Sequence, residues 1–258
     1  MCHVTYEPSV IVVAQGRKEV QIGKHTVTYD PSRYLLNSVE LPTVTRVSQA
    51  SAETPCLAVS MKLDMSIVRE FLSREEFYKL GAPPDRRAIS ICPVTVEFLS
   101  ALCRLLDLLS NPEDIPFLSG LLEREIIYRI LRGPEGARLR AIATLGDQSH
   151  RTAKAINWIK TNYVKTLRVE KLAEIAGMAT STFHHHFREL TALSPLQYQK
   201  QIRLQAARAR MLADDVDAAT VAFEVGYESA SQFNREYSRL FGQPPIRDVR
   251  NLRSPGGE

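Results

Sequence analysis

Residues 172–187, LAEIAGMATSTFHHHF, and residues 221–237, VAFEVGYESASQFNREY, follow one pattern. In each copy a short apolar helix stops at a glycine, Gly177 or Gly226, before a tight turn. The helix that follows carries aromatic residues four positions apart, which would place them on one buried face. This pattern is typical of a helix-turn-helix, whose second helix enters the major groove of DNA.

The segment between the two copies, SPLQYQKQIRLQAARARML at residues 194–212, predicts a long connecting helix. Ser194 and Pro195 are well suited to the N-cap and the first helical position. A continuous helix would hold the two units at a fixed separation. We therefore predict an all-α C-terminal domain over residues 152–250, with helix-turn-helix motifs at about residues 169–190 and 218–240.

The charge of the chain is unevenly distributed. A length of 258 residues is enough for two ordinary domains, and 44% hydrophobic with 24% charged residues is typical of a globular protein. Residues 151–258 carry 16 Lys and Arg against 11 Asp and Glu, whereas residues 1–150 carry 17 against 18. The positive excess lies in the half that holds the repeated motif, as phosphate contacts require.

The N-terminal half predicts strands followed by helices, in a domain at residues 1–146. Short segments rich in Val, Ile, Tyr and Thr, separated by turn residues, predict a small antiparallel barrel or sandwich over about residues 9–64. Helices are predicted over about residues 66–145. A first helix at 66–80 is ended by GAPPDRR at 81–87, and two apolar stripes then predict an antiparallel hairpin. The hairpin either covers the barrel or forms a homodimer interface, and the sequence favours neither.

Metal and cofactor chemistry is not expected. A barrel enzyme would need metal ligands on its strands, where only His3 and His25 are available. The triple histidine at 184–186 projects side chains about 100° apart, so its three rings cannot converge on one ion. The four cysteines are scattered along the chain, at Cys2, Cys56, Cys92 and Cys103. We expect them to act as small buried hydrophobic residues, with a thiol redox sensor as the alternative.

Residues 152–250 resemble the C-terminal DNA-binding domain of AraC/XylS-type bacterial transcription regulators. The resemblance rests on the two copies of the motif, continued through SRLFGQPP, and on the connecting segment. Residues 8–140 resemble the N-terminal domain of one subgroup, through VVAQGRKEVQIG, YDPSRYLLNSVELP and LEREIIYRILRGPEGARL. The resemblance implies an α+β protein with a cupin-like effector-sensing barrel. Relative to that subgroup the barrel starts late, which predicts a missing N-terminal strand and incomplete closure.

The implied function is that of a small-molecule-responsive activator rather than an enzyme. Its partners would be promoter DNA, RNA polymerase and an unidentified effector, and its location the bacterial cytoplasm, on the nucleoid. No apolar run approaches the length of a membrane span, and the N-terminus lacks the features of a signal peptide. Two alternatives stay open: a barrel enzyme with a DNA-binding tail, and a DNA-binding protein that responds to no ligand.

The resemblance also implies which side chains contact DNA. Arg235 is expected to contact guanine O6 and N7 with its guanidinium, with a contact to phosphate alone as the alternative. Two recognition helices on one rigid arm predict an asymmetric site in successive major grooves, about 34 Å apart. The predicted base-contacting residues are Ser181, His184, His185, Ser231, Gln232 and Arg235, and the predicted phosphate contacts are Lys154, Arg188, Lys200 and Arg239.

Overall fold

The fold is described from a computed structural model. The structure describes residues 1–77, 87–134, 136–144, 146–214 and 216–254. The break that the sequence predicts at 81–87, between the first two helices, lies outside the described residues except for its last position.

The N-terminal domain contains two four-stranded antiparallel sheets, in the strand orders β1-β6-β3-β4 and β7-β2-β5-β8. Most connections between consecutive strands cross from one sheet to the other, so the two sheets face each other. The strands are β1 (Cys2–Tyr6), β2 (Ser9–Gln15), β3 (Arg17–Ile22), β4 (His25–Tyr29), β5 (Arg33–Asn37), β6 (Leu41–Gln49), β7 (Leu57–Lys62) and β8 (Ile89–Pro93).

Strand β2 shows why these residues form a central strand. Successive side chains of a strand point to opposite faces, and four consecutive apolar residues of β2 are buried. Ile11 and Val13 pack between the two sheets, while Val10 and Val12 pack against a layer of helices on the other face. The order of layers is therefore sheet, sheet, helices.

Two expectations for the strands need correction, and a third is confirmed. The strands are not confined to residues 9–64, because β1 precedes them and β8 follows the first helix. An N-terminal strand is therefore present, paired with β6. The predicted incomplete closure is confirmed: within the described ranges the strands do not form one hydrogen-bonded barrel, because each sheet ends in its own edge strands. The result is an open cupin-like pair of sheets.

Four helices cover the outer face of the second sheet: α1 (Met65–Leu72), α2 (Val96–Asp107), α3 (Ile115–Arg132) and α4 (Gly136–Ala143). α1 is shorter than predicted, since it ends at Leu72 and a single 3₁₀ turn follows at Glu75–Phe77. α2 and α3 form the predicted hairpin. Of the cysteines only Cys92 is buried, whereas Cys2 and Cys103 are exposed because they lie at the chain terminus and on the outer face of α2.

The C-terminal domain is all helical, as predicted, and its first helix begins at Gln148 with Asp147 as its N-cap. The two helix-turn-helix motifs are confirmed as α6–α7 and α9–α10, connected by α8. The helices are α5 (Gln148–Asn162), α6 (Val169–Ala176), α7 (Thr180–Thr191), α8 (Pro195–Ala213), α9 (Ala218–Glu224), α10 (Ala230–Phe241) and α11 (Pro245–Arg253).

The two domains share one hydrophobic core. The space between the sheets, around Leu35 and Leu41, continues without interruption into the first helix-turn-helix, around Phe183 and Phe187. Two hydrogen bonds reinforce this contact: Ala88 N–H donates to the Leu190 carbonyl at 3.0 Å, and the Tyr198 hydroxyl donates to the Glu40 carbonyl at 2.9 Å. The DNA-binding half is therefore docked on the sheets and not tethered by a free linker.

Candidate DNA-binding surface

The first recognition helix, α7, has the orientation that its sequence predicts. Phe183 and Phe187 are completely buried, in contact with each other, and anchor the helix to the domain. Because these two residues face inward, the predicted base-contacting residues Ser181, His184 and His185 are all exposed. Ala179 occupies the N-cap and provides no side-chain hydrogen bond, so the start of this helix lacks the usual cap.

The second recognition helix, α10, repeats this arrangement. Phe233 and Tyr237 are completely buried, and the predicted base-contacting residues Ser231, Gln232 and Arg235 are exposed. Here the N-cap is complete, because the Ser229 hydroxyl accepts a hydrogen bond from the backbone of Gln232. Each recognition helix thus presents its N-terminal turns to solvent, which is the part that reaches base edges in a helix-turn-helix.

Helix α8 holds the two motifs together. A capping box at Ser194 fixes its N-terminus. In its middle, the Arg203 guanidinium donates to the carbonyls of Tyr163, Val164, Lys165 and Gly226, which joins the end of α5 to the turn of the second motif.

A buried carboxylate, Asp248 of α11, completes the support of the second motif. It accepts hydrogen bonds from Nε and Nη2 of Arg208 at 2.7 and 2.8 Å, from the Tyr237 hydroxyl at 2.7 Å and from Gln243 at 3.0 Å. Burial alone would raise the pKa of Asp248, but these donors outweigh it and hold the pKa below its usual range. The carboxylate therefore ties α8, α10 and α11 together.

Glu236 is a residue of the second motif that the sequence analysis missed. Its carboxylate accepts from the Tyr227 hydroxyl at 2.9 Å and lies 3.0 Å from the Lys200 ammonium and 3.5 Å from the Gln232 amide. One carboxylate therefore holds a predicted phosphate contact and a predicted base contact together. Phosphate oxygens would have to compete with it for Lys200.

The other predicted phosphate contacts have different surroundings. Arg188 and Arg239 are exposed near the C-terminal ends of the two recognition helices. Lys154 of α5 lines a groove of about 350 Å³ between the C-terminal domain and the sheets, beside Lys160. Its contact with phosphate stays a prediction.

The triple histidine does not act as a unit. His184 lies beside the ring of Phe183, whereas His185 and His186 both approach Glu189, one turn further along α7. The run of three histidines alone does not predict a contact with this carboxylate, which comes from the next turn of the helix.

Comparison with known proteins identifies the family. Residues 1–138, more than half of the chain, match the AraC-type transcriptional regulator N-terminus. The chain belongs to this family. Residues 172–251 match a helix-turn-helix domain, which covers the second motif and the first motif from Leu172 onward.

Two relatives illustrate the similarity over most of the chain. The virulence regulon transcriptional activator VirF of Yersinia enterocolitica is 24% identical over 246 residues, covering 93% of this chain and 88% of VirF. The thermoregulatory protein LcrF of Yersinia pestis is 24% identical over 204 residues, covering 76% and 73% of the two chains.

A solved structure supports the fold. The unsaturated fatty acid-bound ToxT of Vibrio cholerae superposes with a TM-score of 0.65 over 99% of this chain and 94% of ToxT, at 11% sequence identity. This AraC-type regulator is thus a helix-turn-helix transcription regulator with the two-domain fold of ToxT. Over the described residues, none of its helices has the length and apolar character needed to span a membrane.

Proposed function

We propose that this AraC-type regulator activates transcription by placing α7 and α10 in two successive major grooves of one promoter site. The observation that carries the proposal is the pair of recognition helices, connected through α8, whose N-terminal turns are exposed while their aromatic residues are buried. Because the two helices differ in sequence, the site is asymmetric, with two short boxes about ten base pairs apart. The relative VirF is named as an activator, which supports the sign of regulation.

The exposed residues of the two helices assign the contacts. Ser181, His184 and His185 contact bases in one groove, and Ser231, Gln232 and Arg235 contact bases in the next. Arg235 binds guanine through two parallel hydrogen bonds, a geometry that suits the planar guanidinium. Arg188, Arg239, Lys200 and Lys154 contact phosphates and set the position of the protein on the duplex.

The test is a footprint on the DNA upstream of the protein's own gene and neighbouring genes, at two salt concentrations. We expect protection across two adjacent major grooves for the wild type. Arg235→Ala is expected to cost about 1–3 kcal/mol and to relax the preference at one base pair. The control is Arg33→Ala, which removes the same charge from an exposed strand position outside the DNA-binding domain. The proposal would be refuted if the wild type, Arg235→Ala and Arg33→Ala all bound DNA equally weakly and without sequence preference.

We also propose that the regulator is controlled by a small molecule that binds in the groove between the sheets and α5. Its apolar wall includes Val39, Met65, Ile142 and Ile156, and Arg69 and Lys154 supply positive charge. This lining fits an amphipathic anion, and ToxT has been solved with an unsaturated fatty acid bound. A ligand there touches both domains and can change how they dock.

The effector proposal is tested by a thermal-shift screen of small anions, since a ligand that binds only the folded state raises its stability. Ala153 lines the groove and is half-buried, so Ala153→Phe fills part of the space. This variant should lose the ligand-induced shift and keep DNA binding without ligand. If no compound stabilises the wild type and the regulator activates transcription without additives, the alternative of a ligand-independent regulator gains support.

Finally, we propose that the protein forms a homodimer through the exposed face of the α2–α3 hairpin. Several large apolar side chains there remain exposed, which is unusual for a face that contacts only solvent: Val96, Leu109, Phe117 and Leu121. Leu121→Glu should convert the dimer into a monomer in light scattering, whereas Leu57→Glu, at an exposed leucine of β7, should not. A monomeric wild type would refute the proposed dimer.

We propose further that the DNA-bound regulator acts in the cytoplasm, where it contacts RNA polymerase, and that it has no catalytic role.

A further inference from the structure

Helix α7 brings two histidines and one glutamate together on one side. Glu189 is four residues after His185 and three residues after His186, and side chains at these spacings are neighbours on a helix. The Glu189 carboxylate oxygen lies 3.4 Å from His186 Nδ1 and 3.9 Å from His185 Nε2. Ligand atoms of the three side chains lie within 4.8 Å of one another.

This group differs from three consecutive histidines, whose rings diverge around the helix and cannot converge on one ion. The carboxylate comes from the next turn and lies between the two imidazoles, whose ring centroids are 5.3 Å apart. His184 remains outside the group, beside Phe183. Among the residues that the structure describes, this is the one group of three His, Cys, Asp or Glu side chains that could hold a metal ion.

We propose that His185, His186 and Glu189 form a binding site for one divalent transition metal ion of the zinc class. Imidazole nitrogens suit zinc, copper and nickel, and two nitrogens with one carboxylate leave a fourth position open to water. Ligand atoms of tetrahedral zinc are roughly 3.3 Å apart, given bonds of about 2.0–2.1 Å. The side chain of His185 is 74% exposed and can rotate the short distance required.

The three side chains differ in exposure and therefore in how they would bind the ion. The side chain of His186 is 13% exposed, which restricts its ring and provides a fixed ligand. Glu189 is 35% exposed and already within reach of both rings. His185 closes the site. An i, i+4 pair of metal ligands on one helix face is the spacing used in helical zinc motifs.

The consequence for DNA rests on the proposed function. His185 is one of the residues assigned to base contacts, and a metal bound to its Nε2 removes that nitrogen from the groove. Zinc should therefore weaken specific DNA binding by about five- to tenfold, the size expected for losing one base contact. The site would make the first recognition helix responsive to metal.

The first experiment measures the metal alone, on full-length protein without a histidine tag. After treatment with chelator, Zn²⁺ is titrated by calorimetry, and Co²⁺ is added separately to record its visible absorption. We expect one ion per chain and absorption bands of low-symmetry four-coordinate cobalt. Glu189→Gln and His185→Ala should lose both zinc binding and the cobalt absorption bands, whereas the neighbouring His184→Ala should keep them. Absence of binding, or equal binding by Glu189→Gln and the wild type, would overturn the proposal.

The second experiment separates the metal site from DNA binding. Glu189 has no assigned DNA contact, so Glu189→Gln should bind the promoter normally in metal-free buffer and show no response to zinc. If zinc binds as proposed but promoter affinity does not fall, the metal site stands and its effect on DNA is refuted. If metal-free protein binds no specific DNA, the proposed function fails, while the calorimetry still decides the metal site.

Discussion

At the residue scale, Gly226 shows how a single position can fix the turn of a motif. Its φ of 92° lies in the left-handed region, where glycine alone is unstrained. A Cβ added there would lie 2.2 Å from the carbonyl oxygen of Val164, at the end of α5. The turn of the second motif therefore approaches a neighbouring backbone more closely than any side chain permits.

Replacing this glycine should cost more than backbone strain. Gly242 provides a matched control, because its φ of 81° is also left-handed but an added Cβ would meet nothing within 4 Å. We expect Gly242→Ala to lower the free energy of unfolding by about 1–2 kcal/mol, and Gly226→Ala to lower it by roughly 1–3 kcal/mol more. Urea denaturation of both variants measures the difference. Equal losses would show that the contact with Val164 relaxes without cost.

Asp248 is the residue whose loss should matter most in the second motif. Asp248→Ala would leave the Arg208 guanidinium, which is largely buried, without its carboxylate. Removing one partner of such a pair costs about 3–5 kcal/mol, because the other charge remains buried. The control is Glu228→Ala, at an exposed acidic position of the same domain. Chemical denaturation should show a large loss for the first variant and almost none for the second.

At the element scale, the two recognition helices differ in how they begin. α10 has Ser229 as a side-chain cap, and α7 has Ala179 at the same position without one. The backbone of Ala179 already has the extended conformation of an N-cap, with φ of −65° and ψ of 148°. The site therefore lacks only an acceptor oxygen.

Opposite substitutions should move stability in opposite directions. Ala179→Ser should raise the free energy of unfolding by about 0.5–1 kcal/mol, and Ser229→Ala should lower it by about the same amount. Thermal unfolding of the two variants gives the comparison. If Ala179→Ser is neutral, Thr180 or Ser181 already satisfies the free backbone N–H groups of α7.

Elements differed in how well the sequence predicted them. The helices of the C-terminal domain were found because their glycine stops, capping residues and apolar spacing are local features. Strand β8 was missed because it is only five residues long, and its partner β5 is distant in sequence. Strand β1 was missed for a similar reason, since its burial depends on pairing with β6 and on contact with α8.

At the scale of the whole molecule, the N-terminal strand contacts the DNA-binding domain directly. The ring of His3 lies 4.8 Å from that of Phe241 at the end of α10, and Thr5 hydrogen-bonds to Gln205 of α8. Burial, followed by the nearby Arg208 guanidinium, lowers the pKa of His3 to about 4, although Asp248 opposes the shift. His3 is therefore neutral in the docked state at neutral pH.

The docking of β1 should weaken in acid. Between pH 6.5, the usual pKa of a free histidine, and about pH 4, the undocked state binds more protons than the docked state. Stability therefore rises with pH across this window and falls as the solution is acidified. His3→Phe keeps an aromatic ring and removes the titration, so its stability relative to the wild type should increase from pH 7 to pH 4.5. Hydrogen exchange of the β1 amides measures this, and parallel pH profiles would contradict it.

The sequence alone determined the paired helix-turn-helix motifs, the buried aromatic faces and the exposed residues at the start of each recognition helix. It could do so because helix periodicity and turn chemistry depend on residues a few positions apart. Only the tertiary structure decided which distant groups meet. It placed Glu236 beside Lys200, Asp248 beside Arg208, and a continuous core between the sheets and the first motif. Such contacts depend on the folding of the whole chain, which local spacing does not encode.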